Sequence, residues 1–377
     1  MHITIITSPF GSLPPNAVGA VEKLFHLLAG EWMRLGHSIS FVCAGGGNNP
    51  KIEYVRLKKY GRTGSTKKDI IWDFFYSIKA LWKCPKTDIL LCNTFWTPAL
   101  APFFRWKYKK LVYGVHRYPK GQFWLYPFVH AYICVSSAVA DELRRQLRTS
   151  KGIWVVNNPV DLTVFCPPWE GAIESDGKYS IVYAGRVHPE KGLDLLFDAA
   201  AILSRRSIGK RIELKIIGTK DVQSGGGGSS YVDSLSARQH GFDVNWIDAI
   251  RNPSDLAMKM RRGNCFAYPS VAAKGETFGV APLEAMAIGM PVVLSNLKCF
   301  SDFVQPGINA MQFELGDGGA ERLADAIEAL MVNLGLAKHL SENASKTASK
   351  FSPMVIALSY EKLFAMLLSG EGERDER

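Results

Sequence analysis

The chain has 377 residues, 47% apolar and 21% charged, and its 45 Lys and Arg outweigh 35 Asp and Glu for a net charge of +10. This excludes a disordered segment, a collagen-like fibre and a disulfide-stapled miniprotein, and at about 100–200 residues per domain it predicts two to three domains with cores of their own. The basic excess suits an anionic partner (a phosphate ligand, nucleic acid or acidic lipid) without choosing among them. Seven Cys at 43, 84, 92, 134, 166, 265 and 299 form no CxxC pair and no cluster with His. Free thiols in a reducing cytoplasm are expected, and no structural zinc.

The start, Met-His-Ile-Thr-Ile-Ile-Thr-Ser-Pro, lacks a basic region and a long apolar core, so it reads as a strand and not as a signal peptide. A Gly/Pro-rich loop, Ser8–Gly19, follows. Apolar residues at 21, 24, 25, 28, 32 and 35 then have a helical period, with Gly36 as the stop. Ser38–Cys43 is the next strand, and this strand–loop–helix–strand unit opens a parallel α/β domain. Further strands are expected at Ile89–Cys92, Lys110–Val115 and Ala131–Val135. The apolar run Ile89–Phe104 is too short, and too broken by Asn93, Thr94, Thr97, Pro98 and Pro102, to span a bilayer. Trp154–Phe165 reads as a connection.

A second α/β series starts there. Strands are predicted at Tyr179–Ala184, Ile212–Ile217, Asp243–Trp246, Asn264–Tyr268 and Pro291–Leu294, with a helix over Gly192–Arg205. The chain therefore divides into domains 1–160 and 161–353. A last helix, about 354–377 with its core at Met354–Leu368, packs back onto the first domain, and the charged tail Gly370–Arg377 is expected to fray. Ser224–Ser230 contains Gly225 to Gly228 but no following GK[ST], so it is not a P-loop. It reads as a mobile surface loop or as one that orders on a ligand.

The chemistry concentrates in the second half. In Gly275-Glu276-Thr-Phe-Gly279-Val-Ala-Pro282-Leu-Glu284, Pro282 suits the first turn of a helix running to about Ile288, with Gly289 as its stop. The N–H groups of that turn would face the loop Thr277–Ala281 as an anion site. Glu276 before the helix and Glu284 inside it could flank a diphosphate, one accepting from hydroxyls of a sugar and the other from those of a ribose. In Tyr183-Ala-Gly185-Arg186-Val-His-Pro-Glu190-Lys191-Gly192, two cations follow a strand, where open α/β sheets bind ligands, and can neutralise a diphosphate. For each segment the bland alternative is a set of solvated surface charges.

These segments together resemble the retaining glycosyltransferases of family 4. Glu276 and Glu284 match that family's E-x7-E motif, and Gly185-Arg186 with Glu190-Lys191-Gly192 its phosphate-binding segment. Ile216-Ile217-Gly218, Tyr268-Pro269-Ser270 and Asn158-Pro159-Val160-Asp161 with Phe165 match as well. The resemblance covers about 160–350 strongly and the first half weakly. It implies an α/β GT-B fold, two Rossmann-like domains with parallel sheets facing across a cleft. It also implies roles: Arg186 and Lys191 on the donor diphosphate, joined by the backbone at Gly279, Val280 and Ala20; Glu276, Phe278, Gly279 and His116 on the donor sugar; Glu284 on the ribose; and Gly218, Ile250 and Arg251 at the base. His116 and Glu276 are the residues nearest the chemistry. Ala20 stands where the family usually has a second Gly, and Arg117 where it often has an acid. Asn93, Thr94 and Ser136 fall at strand ends that could line an acceptor site.

Breaking a sugar–diphosphate bond puts negative charge on the leaving phosphate, and stabilising it is the main electrostatic task. No D-x-D sequence occurs, and Arg186 and Lys191 supply the charge, so no metal and no cofactor is expected. Glu276→Ala or Lys191→Ala should abolish turnover and leave the fold intact. The expected reaction is retaining transfer of a hexose from a nucleotide sugar, UDP-glucose or a related UDP-hexose, to a glycan or lipid-linked acceptor. A nucleotide-sugar epimerase and a non-catalytic nucleotide-sugar binder remain as alternatives. A dinucleotide oxidoreductase is disfavoured because no GxGxxG follows the first strand. Seven basic residues against one Glu over Lys51–Lys68, and the mixed aromatic and basic run 101–110, suit either an anionic membrane surface or a solvated basic face. No nucleic-acid motif is present. The expected location is the cytoplasm, with contact to the inner face of the membrane as an option.

Overall fold

The computed structural model describes the chain except residues 15–18, 151, 170–176, 207–208, 210 and 371–377. It divides into unit 1, Met1–Pro159 with Pro353–Arg377, and unit 2, Val160–Ser352.

In unit 1 the elements in order are β1 (His2–Ile6), α1 (Ala20–Arg34), β2 (Ser38–Cys43), β3 (Glu53–Arg56), α2 (Thr66–Lys83), β4 (Thr87–Cys92), α3 (Thr97–Leu100), β5 (Tyr108–Val115), β6 (Ala131–Cys134), α4 (Ser137–Leu147) and β7 (Ile153–Val155). All seven strands are parallel in the order β3-β2-β1-β4-β5-β6-β7. The central strands are buried on both faces because helices cover both: the successive pairs Ile5 and Ile6, Leu90 and Leu91, and Leu111 and Val112, which point to opposite sides, are all fully buried. Trp154 departs from the expected connection. It lies in β7, which pairs Ile133 with Trp154 as the sheet's last strand; a three-residue edge strand has too short a pattern to be read in advance. The short β3, within the basic run, escapes for the same reason.

Unit 2 repeats the plan with β8 (Lys178–Ala184), α5 (Leu193–Arg205), β9 (Arg211–Ile217), α6 (Gly228–Ser236), β10 (Asp243–Ile247), α7 (Pro253–Arg261), β11 (Cys265–Tyr268), α8 (Val280–Ile288), β12 (Val292–Ser295), β13 (Met311–Phe313), α9 (Gly319–Val332) and α10 (Leu334–Ala348). Its six strands are parallel in the order β10-β9-β8-β11-β12-β13. The glycines Gly225–Gly228 are not a free loop. Gly226 N donates to Asp221 O at 2.8 Å, Gly227 N to Val187 O at 2.7 Å and Gly228 N to Lys220 O at 2.9 Å, and the turn feeds α6.

The chain returns to unit 1 with α11 (Pro353–Ser369). Its residues Ile356, Ala357, Tyr360, Leu363 and Phe364 are buried, and Trp32 Nε1 of α1 donates to Ala357 O at 3.2 Å. The far end expected for this helix, with the charged tail, falls on 371–377, outside the described residues. Ile89–Phe104 divides between β4, α3 and a 3-10 turn. Among the described residues one helical run, Leu334–Ser369, is long and apolar enough by length and composition to cross a membrane. It consists of α10 and α11, separated by extended backbone at Ser352 with ψ 153°. The seven cysteines are free thiols, all buried except the half-buried Cys166.

Candidate active site

In unit 2 the strand order reverses between β8 and β11, so the connections after these two strands leave in opposite directions and open a crevice at their carboxyl ends. The segment after β8 brings Arg186 and Lys191 to that edge, and the segment after β11 brings Glu276. Two hydrogen bonds to one carbonyl hold the two segments together: Val271 N donates to Glu190 O at 3.0 Å, and the Ser270 hydroxyl to the same oxygen at 3.3 Å.

Lys191 Nζ lies 2.7 Å from Glu276 Oε2, and both side chains are about nine-tenths buried (9% and 10% exposed). Tyr268 hydroxyl donates to the same oxygen at 3.0 Å, and its ring centroid is 5.5 Å from Lys191 Nζ. Burial and the Glu276 charge hold the Tyr268 phenol well above its ordinary value, so it remains a proton donor. Tyr268 is itself stacked between Tyr183, at 5.7 Å, and Phe266, at 6.2 Å. The carboxylate is thus fixed by an ammonium and a phenol on a rigid aromatic base. Substitution of one partner leaves the other buried and uncompensated, so the fold does not escape the consequence as the sequence suggests.

Arg186 is set differently. Nearly half exposed, it pairs with Glu190 and donates from Nη1 to Gly225 O at 2.8 Å, while Tyr183 hydroxyl donates to Arg186 O at 2.8 Å. The Gly225 turn therefore serves to hold the guanidinium.

Helix α8 begins beside Glu276. Gly279 caps it with φ 91°, and a Cβ there would lie 2.6 Å from Phe300 Cε1, so both conformation and space require glycine. Val280 opens the helix, and Glu284 stands half-buried one turn further. The positive end of the helix dipole lies at this turn. Phe278 offers only its backbone, because its side chain packs on Phe303 at 5.2 Å and Phe351 at 6.1 Å. Gly218 follows β9, and a Cβ on it would fall 1.7 Å from Gly185 O, so its glycine lets two backbones meet. Ile250 and the exposed Arg251 lie beyond β10, the edge strand, two strands from the reversal.

The remaining expected residues belong to unit 1. His116 follows β5 and sits edge-on to Phe25 of α1 at 5.2 Å; burial lowers its pKa to about 4, so the ring is neutral at pH 7. Ala20 is the exposed first residue of α1. Unit 1 reverses between β1 and β4, and Asn93 and Thr94 follow β4 there. Among the described residues, Asn93 Oδ1 and Thr94 Oγ1 are buried with no hydrogen-bond partner. Ser136 is instead committed to the fold: it caps α4, accepting from Val139 N at 3.3 Å.

Sequence reasoning missed two carboxylates beside this edge. Asp73 of α2 accepts from Trp96 N at 2.8 Å, and burial raises its pKa to about 6. Glu22 of α1 is also buried and raised, with Arg117 and Arg62 opposing the shift. The available signal was an acid on the inward side of each helix, where apolar residues belong. Among the described residues no three His, Cys, Asp or Glu side chains gather as a metal site.

Residues 170–347 match the family model of the glycosyl transferases group 1, and residues 19–164 that of glycosyltransferase family 4. D-inositol 3-phosphate glycosyltransferase of Kribbella flavida is 28% identical over 230 residues, 57% of this chain and 52% of that protein. The chain spans about half the length of the curated relatives it matches. Among solved structures, sucrose-phosphate synthase of Thermosynechococcus elongatus shares the fold at TM-score 0.79 and 18% identity, over 98% of this chain and 100% of that one. Anabaena HepE, solved with UDP and glucose, shares it at 0.72 and 18%, over 96% and 99%. Two parallel doubly wound units, each matched by its own family model, place the chain in family 4 of the glycosyltransferases, with the GT-B fold.

Proposed function

We propose that this chain is a retaining hexosyltransferase that takes its sugar from a nucleotide donor, UDP-glucose or a related UDP-hexose, and passes it to a glycan or lipid-linked acceptor. The observation that carries the proposal is the buried Lys191–Glu276 pair, braced by Tyr268 beside the first turn of α8.

Lysine has three donors, so Lys191 can keep one on Glu276 and turn another to a phosphate oxygen. Arg186 and the N–H groups at Gly279 and Val280 add charge-assisted bonds to the same diphosphate, which then leaves as a stabilised anion. Glu276, held ready as an acceptor, takes the sugar hydroxyls, and Glu284 takes the ribose. Gly218, Ile250 and Arg251 are assigned to the base. His116, neutral at pH 7, is assigned to the sugar, and Ala20 to the phosphate through its backbone. With two cations and a helix terminus for the leaving group, the proposed reaction needs no metal. A UDP donor is supported by the fold shared with Anabaena HepE, which was solved with UDP and glucose.

The test is donor loss across a panel of UDP-, GDP- and ADP-sugars, with and without EDTA, since slow hydrolysis needs no acceptor. Free UDP and hexose from one UDP-sugar, unaffected by EDTA, are expected. No loss and no calorimetric binding of any donor would overturn the reading, and an isomerised sugar still attached to its nucleotide would turn it to the epimerase.

A further inference from the structure

Helix α2 has two faces of different character. Inward it buries Asp73, Tyr76, Ser77, Ala80 and Leu81. Outward it presents Ile71, Phe75 and Trp82, 54%, 50% and 70% exposed, with Trp72 beside them. The next connection, 97–107, crosses the sheet in the same direction as α2 and so lies on the same face. There Phe104 meets Trp82 edge-on at 6.5 Å and Trp106 at 5.6 Å, while Phe103 and Trp106 stand open to solvent. The aromatics form one tract, where a soluble surface normally scatters them singly. All eight exposed Trp and Phe side chains of the described residues belong to unit 1.

The charge of the same region is one-sided. Residues 51–110 hold 14 Lys and Arg against four Asp and Glu. All four acids are engaged elsewhere: Glu53 accepts from Ser40 at 2.6 Å, Asp69 from Thr63 at 2.9 Å, Asp88 pairs with Lys109 at 2.7 Å, and Asp73 faces inward. Lys68, Lys79 and Lys83, exposed on the aromatic side of α2, have no carboxylate within ion-pair distance among the described residues.

We infer that this face of unit 1 docks on an anionic lipid bilayer. The rings enter the headgroup region while the lysines pair with its phosphates, the division of labour of a helix lying in an interface. A second copy of the chain would oppose two surfaces of the same sign. A nucleic acid would be held through its phosphates and would leave the aliphatic and aromatic tract without a role. The inference is independent of the transferase reading, because its test reads partitioning and not turnover.

Vesicle flotation of the full chain decides it. Phosphatidylglycerol–phosphatidylcholine vesicles should carry the protein at low salt, pure phosphatidylcholine at least about tenfold less, and high salt should release it only in part. Trp82→Ser with Trp106→Ser should cut partitioning about tenfold or more, and Lys79→Ser with Lys83→Ser about fivefold per charge. Both pairs are exposed, so thermal melting and donor loss should not change. Equal flotation with and without anionic lipid, no flotation with either, or binding indifferent to both pairs of substitutions would overturn the inference. So would a dimer in light scattering that the Trp pair dissolves, in a chain that ignores vesicles.

Discussion

Units 1 and 2 share one topology, a parallel sheet whose order reverses beside its first strand, yet they use that reversal in opposite electrostatic ways. Unit 2 places a compensated pair at the edge, Lys191 with Glu276, and a second, exposed pair, Arg186 with Glu190. Unit 1 places carboxylates there that burial protonates more readily, Asp73 and Glu22, together with a neutral His116. Their surfaces differ as well, since the exposed Trp and Phe rings of the described residues all belong to unit 1. The difference teaches that the doubly wound sheet fixes where a site can be and leaves the side chains to decide what it does.

The comparison can be broken most directly at Lys191. Lys191→Ala should lower donor turnover by at least about 10²-fold and stability by about 3–5 kcal/mol, because Glu276 stays buried without its counter-ion. The double variant Lys191→Met, Glu276→Gln should regain most of the stability and none of the turnover, read by denaturant melts and donor loss. A single variant that melts like the parent would remove unit 2's compensated pair from the contrast.

In unit 1 the buried carboxylate of Asp73 ties stability to pH. The folded pKa of Asp73, about 6, is above the usual 3.8 for the unfolded chain, so the folded state binds the proton more tightly. Its contribution is complete below about pH 3.8 and is lost as pH rises through about 6, about 3 kcal/mol in all. Asp73→Asn should flatten that part of the stability profile. Chemical melts from pH 4 to 7 check it, and an unchanged slope would place the carboxylate in water.

Gly279→Ala tests the backbone at the α8 cap. It should cost about 1–3 kcal/mol through a forced positive φ and the contact with Phe300, and weaken donor binding by calorimetry. The smallest effect on stability belongs to Arg186→Ala, below about 1 kcal/mol for an exposed pair, while donor affinity still falls. Were Arg186→Ala to destabilise as much as Lys191→Ala, the distinction between the two cations would disappear.

Much of this was legible in the sequence because it is local. The apolar period at 21–35, the strand of Tyr179–Ala184 and the Gly279…Gly289 frame of α8 are written in consecutive residues, and the structure places α1, β8 and α8 there. The residues of both unit 2 segments were legible too, because each follows a strand. Their pairing was not: Lys191 and Glu276 are 85 residues apart, and only the strand order brings them to one oxygen distance. Likewise the glycines at 225–228 looked loose until their partners, Asp221, Val187 and Lys220, were in place.

By itself the sequence determined the class of fold, the alternation of elements and the residue types available at each strand end, since hydrophobic period and turn chemistry act over a few residues. Tertiary structure alone decided which charges neutralise each other, that Phe278 gives up its side chain to the core, that Ser136 is a helix cap, and that Asp73 is buried. Those outcomes depend on burial and on distances between residues remote in the chain, and neither exists until the sheets have assembled.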